Sequence, residues 1–190
     1  MRMLAIQCAE QISLAVANVR LRDQLRDQSI RDALTGLYNR RYLLDQLRRE
    51  IARSIKKGKP LSLISFDADH FKRFNDNHGH DAGDTVLRAL GELLRKRFDG
   101  DEVGCRLGGE EFVVMLPETD KDAALMQAEG LRAAVEALVI RYGDQNLPRV
   151  TVSLGVATLP GDGAEPQTLL GAADAALYRA KSGGRNRVHA

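Results

Sequence analysis

Two acidic stations in the sequence carry the residue types that handle metal-bound phosphates. Asp67 closes the apolar run LSLISFD from Leu61, and Glu110 and Glu111 follow Gly108 and Gly109 between the apolar runs VGCRL and EFVVML. An acid ending a buried strand and two acids in a neighbouring hairpin turn converge at one sheet edge. Convergent carboxylates hold a hard divalent cation when phosphate oxygens supply its other ligands. The paired glycines allow backbone to approach a ligand closely, and Asp67, Asp69 and Lys72 set both charge signs within six residues. Read singly, each acid is equally a solvated turn residue; together they point to a site. His70, His78 and His80 invite a zinc reading, but no cysteine partners them, so zinc is not expected.

The chain as a whole is nearly neutral. Lys and Arg number 28 against 26 Asp and Glu, a formal net charge of +2, which excludes a bulk polyanion binder and an acidic solvating tail. With 44% hydrophobic and 28% charged residues, it has an ordinary globular balance. Its 190 residues, against about 150 per domain, predict one domain plus an appendage. Cys8 and Cys105 fall in unrelated settings and read as unpaired thiols of a reduced, intracellular protein. No apolar stretch approaches the roughly 18 residues of a membrane span, and the start MRMLAIQCAEQ lacks a secretory pattern. A cytoplasmic chain is expected, with neither membrane nor nucleic acid as partner.

The elements that must position the acids can be read from periodicity. Met3 to Ser29 contains no Gly or Pro and is rich in Ala, Leu, Gln and Arg, predicting one long helix. Leu14, Leu21 and Leu25, with Asn18 and Gln28 completing two heptads, make it either a short coiled-coil seam or a helix packed on the domain. It looks too long to belong wholly to that domain, so a sensor domain is expected upstream. Asn39 caps a helix with Leu43, Leu44, Leu47, Ile51 and Ile55 on its apolar stripe, closed by Gly58. Gly79 to Gly83 breaks the chain before a helix faced by Val86, Leu87, Leu90, Leu93, Leu94 and Phe98. Two strands joined by a tight glycine turn follow, then a helix from Asp120, a strand from Arg149 to Leu159, and a helix from Pro166 to Lys181. This order predicts an α+β fold with a largely antiparallel central sheet flanked by helices.

The segments themselves are familiar. RLGGEEFVVML, Arg106 to Leu116, resembles the signature of the GGDEF family, the diguanylate cyclases. DALTGLYNRR, Asp32 to Arg41, is similar to that family's opening motif; FDADHFKRFNDNHGHDAGD, Phe66 to Asp84, to its metal and guanine segment; and ADAALYRAKSGGRNRV, Ala173 to Val188, to its closing motif. The resemblance implies a palm-like, nucleotidyl-cyclase fold and a reaction in which two GTP condense to cyclic di-GMP, each held by one protomer of a homodimer. It implies that Asp67, Glu110 and the Ala68 carbonyl hold Mg²⁺ or Mn²⁺, and that Glu111 assists deprotonation of the attacking hydroxyl or holds a second ion. Asn75 and Asp84 match the guanine-reading positions, Lys72, Lys181 and Arg185 the phosphate contacts, and Phe71 with Lys72 backbone N–H donors. For Lys181 and Arg185 a cation complementing a helix C-terminus is the plainer alternative. Gly108 and Gly109 would lie against the substrate, the three histidines in a polar loop beside it, and Asp32, Asn39 and Arg40 would tie the incoming helix to the domain.

One departure stands out. Where many family members carry an Arg-x-x-Asp pair that binds inhibitory product, this chain has Asp99 and Glu102, which replaces a bidentate donor by repulsion. No inhibitory product site is therefore expected. The domain division expected is 1–30 for the signalling helix and 31–190 for the catalytic domain. Two other readings remain open: a non-catalytic GTP or cyclic di-GMP sensor, and a dimerisation module.

Overall fold

The computed structural model describes residues 30–190; the helix expected over Met3 to Ser29 lies outside the described residues. In chain order the elements are β1 (Tyr38–Asn39), α1 (Arg40–Lys57), β2 (Leu61–Ala68), α2 (Phe71–His78), α3 (His80–Arg97), β3 (Val103–Gly108), β4 (Glu111–Pro117), α4 (Lys121–Glu136), β5 (Arg141–Tyr142), β6 (Gln145–Asn146), β7 (Val152–Leu159), α5 (Pro166–Ser182) and β8 (Val188–His189). The main sheet runs β1-β3-β4-β2-β7-β8, with β5-β6 a separate hairpin. Its four inner strands pair antiparallel, while the two-residue edges β1 and β8 pair parallel to their neighbours.

Strands β2 and β7 are buried at every position, as central strands covered on both faces must be. Side chains alternate between those faces. Leu61 and Leu63 join Leu43, Leu47, Ile51, Leu169 and Ala173 in a core under α1 and α5. Ile64, Phe66 and Ala68 join Val86, Leu90, Ala128 and Leu131 in a core under α3 and α4. By the same alternation Ser65 and Asp67 project toward the α5 face.

Asn39 caps α1 by accepting the Tyr42 N–H at 3.1 Å, and Gly58 ends the helix with φ 64°. Its buried stripe differs from expectation at one position: Ile55 is 59% exposed and Ser54 is buried. The three turns after Leu43 advance about 11 residues rather than 12, so Ser54 takes the place that a strict repeat of four gives to Ile55.

The segment between β2 and α3 is more helical than its composition indicates. Phe71–His78 forms α2, and the break is confined to Gly79, at φ 85°. Gly83 sits inside α3 because a Cβ there would run into the Asn75 side chain of α2; small size, not turn formation, is its purpose. β7 begins at Val152 rather than Arg149.

The seating of α5 on β7 depends on Gly155, where a Cβ would collide with the Ala173 carbonyl and the Leu177 N–H. Those are backbone atoms and cannot swing aside. Gly155→Ala is expected to lower stability by about 3 kcal/mol, the upper end for overpacking, read as a fall in the urea unfolding midpoint; an unchanged midpoint contradicts this packing.

Candidate active site

The acids meet where β2 and β4 end together. Asp67 pairs directly with Glu111 in the sheet register, so both carboxylates lie on the α5 face, with Glu110 beside them in the turn. Asp67 is only 6% exposed. Burial pushes its carboxyl above the usual range, opposed by Lys181, whose Nζ stands 2.9 Å from Oδ2. Burial and the neighbouring Asp67 charge likewise raise Glu110. The cluster therefore lacks positive charge, and the Lys181 ammonium occupies the place where one is demanded. Ala68, the last residue of β2, is buried behind Asp67.

The turn linking β3 and β4 takes its shape from Gly109 at φ 52° and Gly108 at φ 152°. A Cβ at either glycine would meet nothing within 4 Å, so the space over the turn is open to a ligand. Arg106 holds the turn: its Nε and Nη2 donate to the Gly109 carbonyl at 3.0 and 2.7 Å. The same guanidinium donates through Nη1 to both oxygens of Asp32 at 3.0 and 3.2 Å. Asp32 also accepts from the Thr35 N–H and hydroxyl at 2.9 and 2.7 Å. Burial raises the Asp32 carboxyl, but these hydrogen bonds from Thr35 and Arg106 outweigh it and hold the group below its usual range. The segment at which the described residues begin is thus clamped to the glycine turn.

A second polar spot lies where Asn75 of α2 meets Gly83 of α3. Asn75 Oδ1 is buried with no hydrogen-bond partner, pressed against Gly83 and next to Asp84, whose contact with Arg88 is 3.8 Å and exposed. An unmatched buried acceptor costs about 1–3 kcal/mol, which a ligand bearing N–H groups relieves. Phe71 is buried at the start of α2, with Lys72 exposed beside it.

Behind the acids a network fixes the loop carrying Arg185. Asp69 accepts from Thr151 Oγ1 and Ser153 Oγ, both at 2.7 Å, and from the Asn186 N–H at 3.0 Å. Asn186 in turn accepts from Arg132 at 2.8 Å and donates to Glu136 at 3.0 Å. Asp69 is thereby a loop anchor. His70, Arg185 and Asn186 all have positive φ, a strain of about 1–3 kcal/mol each that surrounding structure must hold in place. His78 packs its ring on Phe74 at 4.9 Å. Among the described residues no three acid, His or Cys side chains close around an ion by themselves. An open set of carboxylates suits Mg²⁺, which keeps waters and shares phosphate oxygens.

The family model "Diguanylate cyclase, GGDEF domain" matches residues 29–187. The chain belongs to the GGDEF family. This GGDEF domain is 41% identical over 168 residues to the response regulator PleD of Caulobacter vibrioides, covering 87% of this chain and 37% of that protein. It is 44% identical to the diguanylate cyclase DgcP of Pseudomonas aeruginosa, covering 88% of this chain and 25% of that protein. The chain thus spans well under half the length of these curated relatives. Among solved structures it superposes on the coiled coil and GGDEF domain of DgcB from Caulobacter crescentus, in complex with c-di-GMP. That match has a TM-score of 0.89 and 32% identity, over 98% of each chain. The active GGEEF domain of a diguanylate cyclase from Vibrio cholerae matches with TM-score 0.74 and 34% identity, over 80% of this chain and 95% of that one.

The mixed fold with its helix-flanked, largely antiparallel sheet is thus that of GGDEF domains. Of the expected site residues, Asp67, Glu110, Glu111 and Lys181 come together at one strand end. Asn75 and Asp84 come together across α2 and α3, and Lys72 and Arg185 flank the loops anchored by Asp69. Sequence reading passed over Arg106, Asn186 and Arg132, each of which works through a partner distant along the chain. Among the described residues, no helix is long and apolar enough to cross a membrane.

The Arg106 clamp makes a prediction about stability. Arg106→Lys cannot reach Asp32 and Gly109 together and should cost about 1.5–3 kcal/mol, the range for hydrogen bonds to charged groups. Because the Asp32 carboxyl is lowered in the folded state, its contribution is complete above its unfolded pKa of about 3.9. It is lost as pH falls through the lower folded value. Wild-type stability should drop through that acid window, and Asp32→Asn should flatten the drop; parallel curves for the two proteins contradict the clamp.

Proposed function

We propose that this domain condenses two GTP into cyclic di-GMP and two pyrophosphates, each GTP held by one copy of a homodimer. The observation that carries this reading is the buried Asp67 beside Glu111 and Glu110, at the edge of an open glycine turn, with the Lys181 ammonium as stand-in cation. Asp67, Glu110, the Ala68 carbonyl and in part Glu111 would hold Mg²⁺ or Mn²⁺. Such an ion neutralises charge on the triphosphate and makes the α-phosphorus a better electrophile.

The remaining work falls to the chain's own residues. Lys72, Arg185 and a released Lys181 bind the terminal phosphates, together with N–H groups at Phe71 and Lys72. Gly108 and Gly109 leave room for substrate over the turn. Asn75 and Asp84 read guanine: the unpartnered Asn75 oxygen and the Asp84 carboxylate accept from its N1–H and amino group, and the Asn75 amide donates to O6. Adenine presents the opposite pattern at that edge and leaves the Asn75 oxygen and the Asp84 carboxylate without donors. Glu111 takes the proton from the 3′-hydroxyl of the second GTP as that oxygen bonds to the α-phosphorus and the bond to pyrophosphate breaks. The same exchange in the other direction closes the ring.

Regulation is read more simply. Asp99 is exposed, and half-buried Glu102 accepts the Gly100 N–H at 3.2 Å in an exposed local contact. Neither offers a guanidinium fork to an anionic product, so no product inhibition acts there. Residues 1–30 serve as a signalling helix from an upstream sensor, and 31–190 as the catalytic domain.

Incubation with GTP and Mg²⁺, resolved by chromatography, should yield cyclic di-GMP; bound but unchanged GTP makes the domain a sensor instead. Glu110→Gln should lower turnover beyond the roughly 10–100-fold that loss of an outer partner of a metal ligand costs, and unchanged turnover removes the metal assignment. Asp84→Ala should erode GTP preference over ATP by about 10–100-fold, the worth of one hydrogen bond to a charged group; intact preference removes the guanine assignment. Tight cyclic di-GMP binding outside the active site, abolished by substituting Asp99 or Glu102, contradicts the absence of product control.

A further inference from the structure

One side chain of α4 reaches across to the loop that carries Arg185. Arg132 is 16% exposed, and its guanidinium is engaged on all sides within the protein. Nε and Nη2 each stand 2.8 Å from Glu129 Oε1. Nη1 donates to Glu136 Oε2 at 2.7 Å and to Asn186 Oδ1 at 2.8 Å. The two glutamates lie three residues before and four residues after Arg132, on one face of the helix. Ion pairs of that kind alone do little for a helix at the surface. The contact to Asn186 is of another kind, part-buried and 54 positions away in the sequence.

Asn186 lies in the loop between α5 and β8, where Arg185 and Asn186 take φ of 61° and 45° in succession. Two left-handed residues in a row persist only when their surroundings hold them. The backbone is held at three points. The Arg185 N–H donates to the Ala180 carbonyl at 3.1 Å, the Asn186 N–H to Asp69 Oδ2 at 3.0 Å, and the Leu154 N–H to the Arg187 carbonyl at 2.9 Å. The Asn186 side chain supplies a fourth hold, since its oxygen accepts from Arg132 and its Nδ2 donates to Glu136 Oε1 at 3.0 Å. Asparagine suits the place because it tolerates left-handed backbone and offers both an acceptor and donors to be gripped. Among the described residues no carboxylate pairs with the exposed Arg185 guanidinium, so the loop presents a free cation on a fixed backbone.

We infer that Arg132 is a positioning residue for triphosphate binding: by gripping the Asn186 amide from α4, it fixes the backbone that presents Arg185 to the terminal phosphates. The inference rests on the phosphate reading of Arg185 above and deepens it. Arg132 does not itself serve phosphate, because its charge is balanced by Glu129 and Glu136 and its donors are spent on them and on Asn186. Without its grip the two left-handed residues relax toward ordinary backbone, and Arg185 moves with them. A displacement of about 1 Å at a positioned group can lower its effect as much as a hundredfold. The affinity for the phosphate end of the nucleotide is thereby set in part from a helix that carries none of its expected ligands.

Calorimetric titration with a non-hydrolysable GTP analogue and Mg²⁺ tests this apart from turnover. Arg132→Met, which keeps an unbranched stem, should weaken the analogue about tenfold, the size of effect that outer partners have on the groups they orient. GMP, which lacks the terminal phosphates, should bind both proteins equally. Asn186→Gly, which keeps the left-handed backbone and the N–H to Asp69, should reproduce the loss. In an Arg185→Ala background Arg132→Met should weaken the analogue no further, because the two act through one contact. An additive loss overturns the inference, as does an equal loss for GMP, or a lower urea unfolding midpoint with analogue affinity intact; each leaves Arg132 a packing residue. If Arg185→Ala weakens the analogue while Arg132→Met and Asn186→Gly do not, the inference alone fails. If Arg185→Ala changes nothing, the phosphate assignment fails and the inference with it.

Discussion

A carboxylate held out of water at the end of a buried strand must have a positive charge beside it, and the rest of this structure is arranged around that need. Asp67 is the last residue on the α5 face of a strand that is buried at every position. An uncompensated buried charge is strongly unfavourable. Lys181 answers the demand within the protein, but from the end of a helix and partly exposed, so its ammonium can leave when a divalent cation and a triphosphate arrive together. In the proposed reaction the acid would site the cation, the cation the phosphates, and the displaced lysine would become available to the phosphates.

Everything that keeps Asp67 in place is held from several directions at once. The strand is fixed by its two antiparallel neighbours, and Glu111 is carried opposite Asp67 by the register of one of them. The glycine turn is fixed by Arg106, whose guanidinium is shared with Asp32 at the beginning of the described residues. The Arg185 loop is fixed by Asp69 through Asn186 and on to Arg132 and Glu136. A displacement where the chain enters the domain therefore bears on the turn above the acids through a single side chain. That is a short mechanical path from the expected signalling helix to the site, and it contains only polar contacts with directional geometry.

How far the sequence alone reveals this depends on what each residue answers to. Strands β2 and β4 and helices α1, α3, α4 and α5 were legible because apolar periodicity and caps such as Asn39 and Gly58 are local signals. The acids were legible because they sit at the ends of those runs. Helix α2 was not, since Phe71–His78 is polar apart from two phenylalanines and its partner α3 lies across a glycine. Strands β1 and β8 have two residues each, too few for any period. Arg106 and Asn186 act on residues 74 and 117 positions away, and nothing local marks such a role. Gly83 was read as a breaker because a glycine needed for close helix contact looks the same in sequence as one needed for a turn.

The central claim is that Asp67 is the carboxylate on which cation binding depends. Mn²⁺ binding, followed by electron paramagnetic resonance in the presence of a non-reactive GTP analogue, tests it without relying on turnover. Wild type should bind the ion, and Asp67→Asn, which keeps the side chain's size and removes its charge, should weaken that binding at least tenfold while the fold remains intact by circular dichroism. Equal Mn²⁺ affinity in the two proteins would contradict the account.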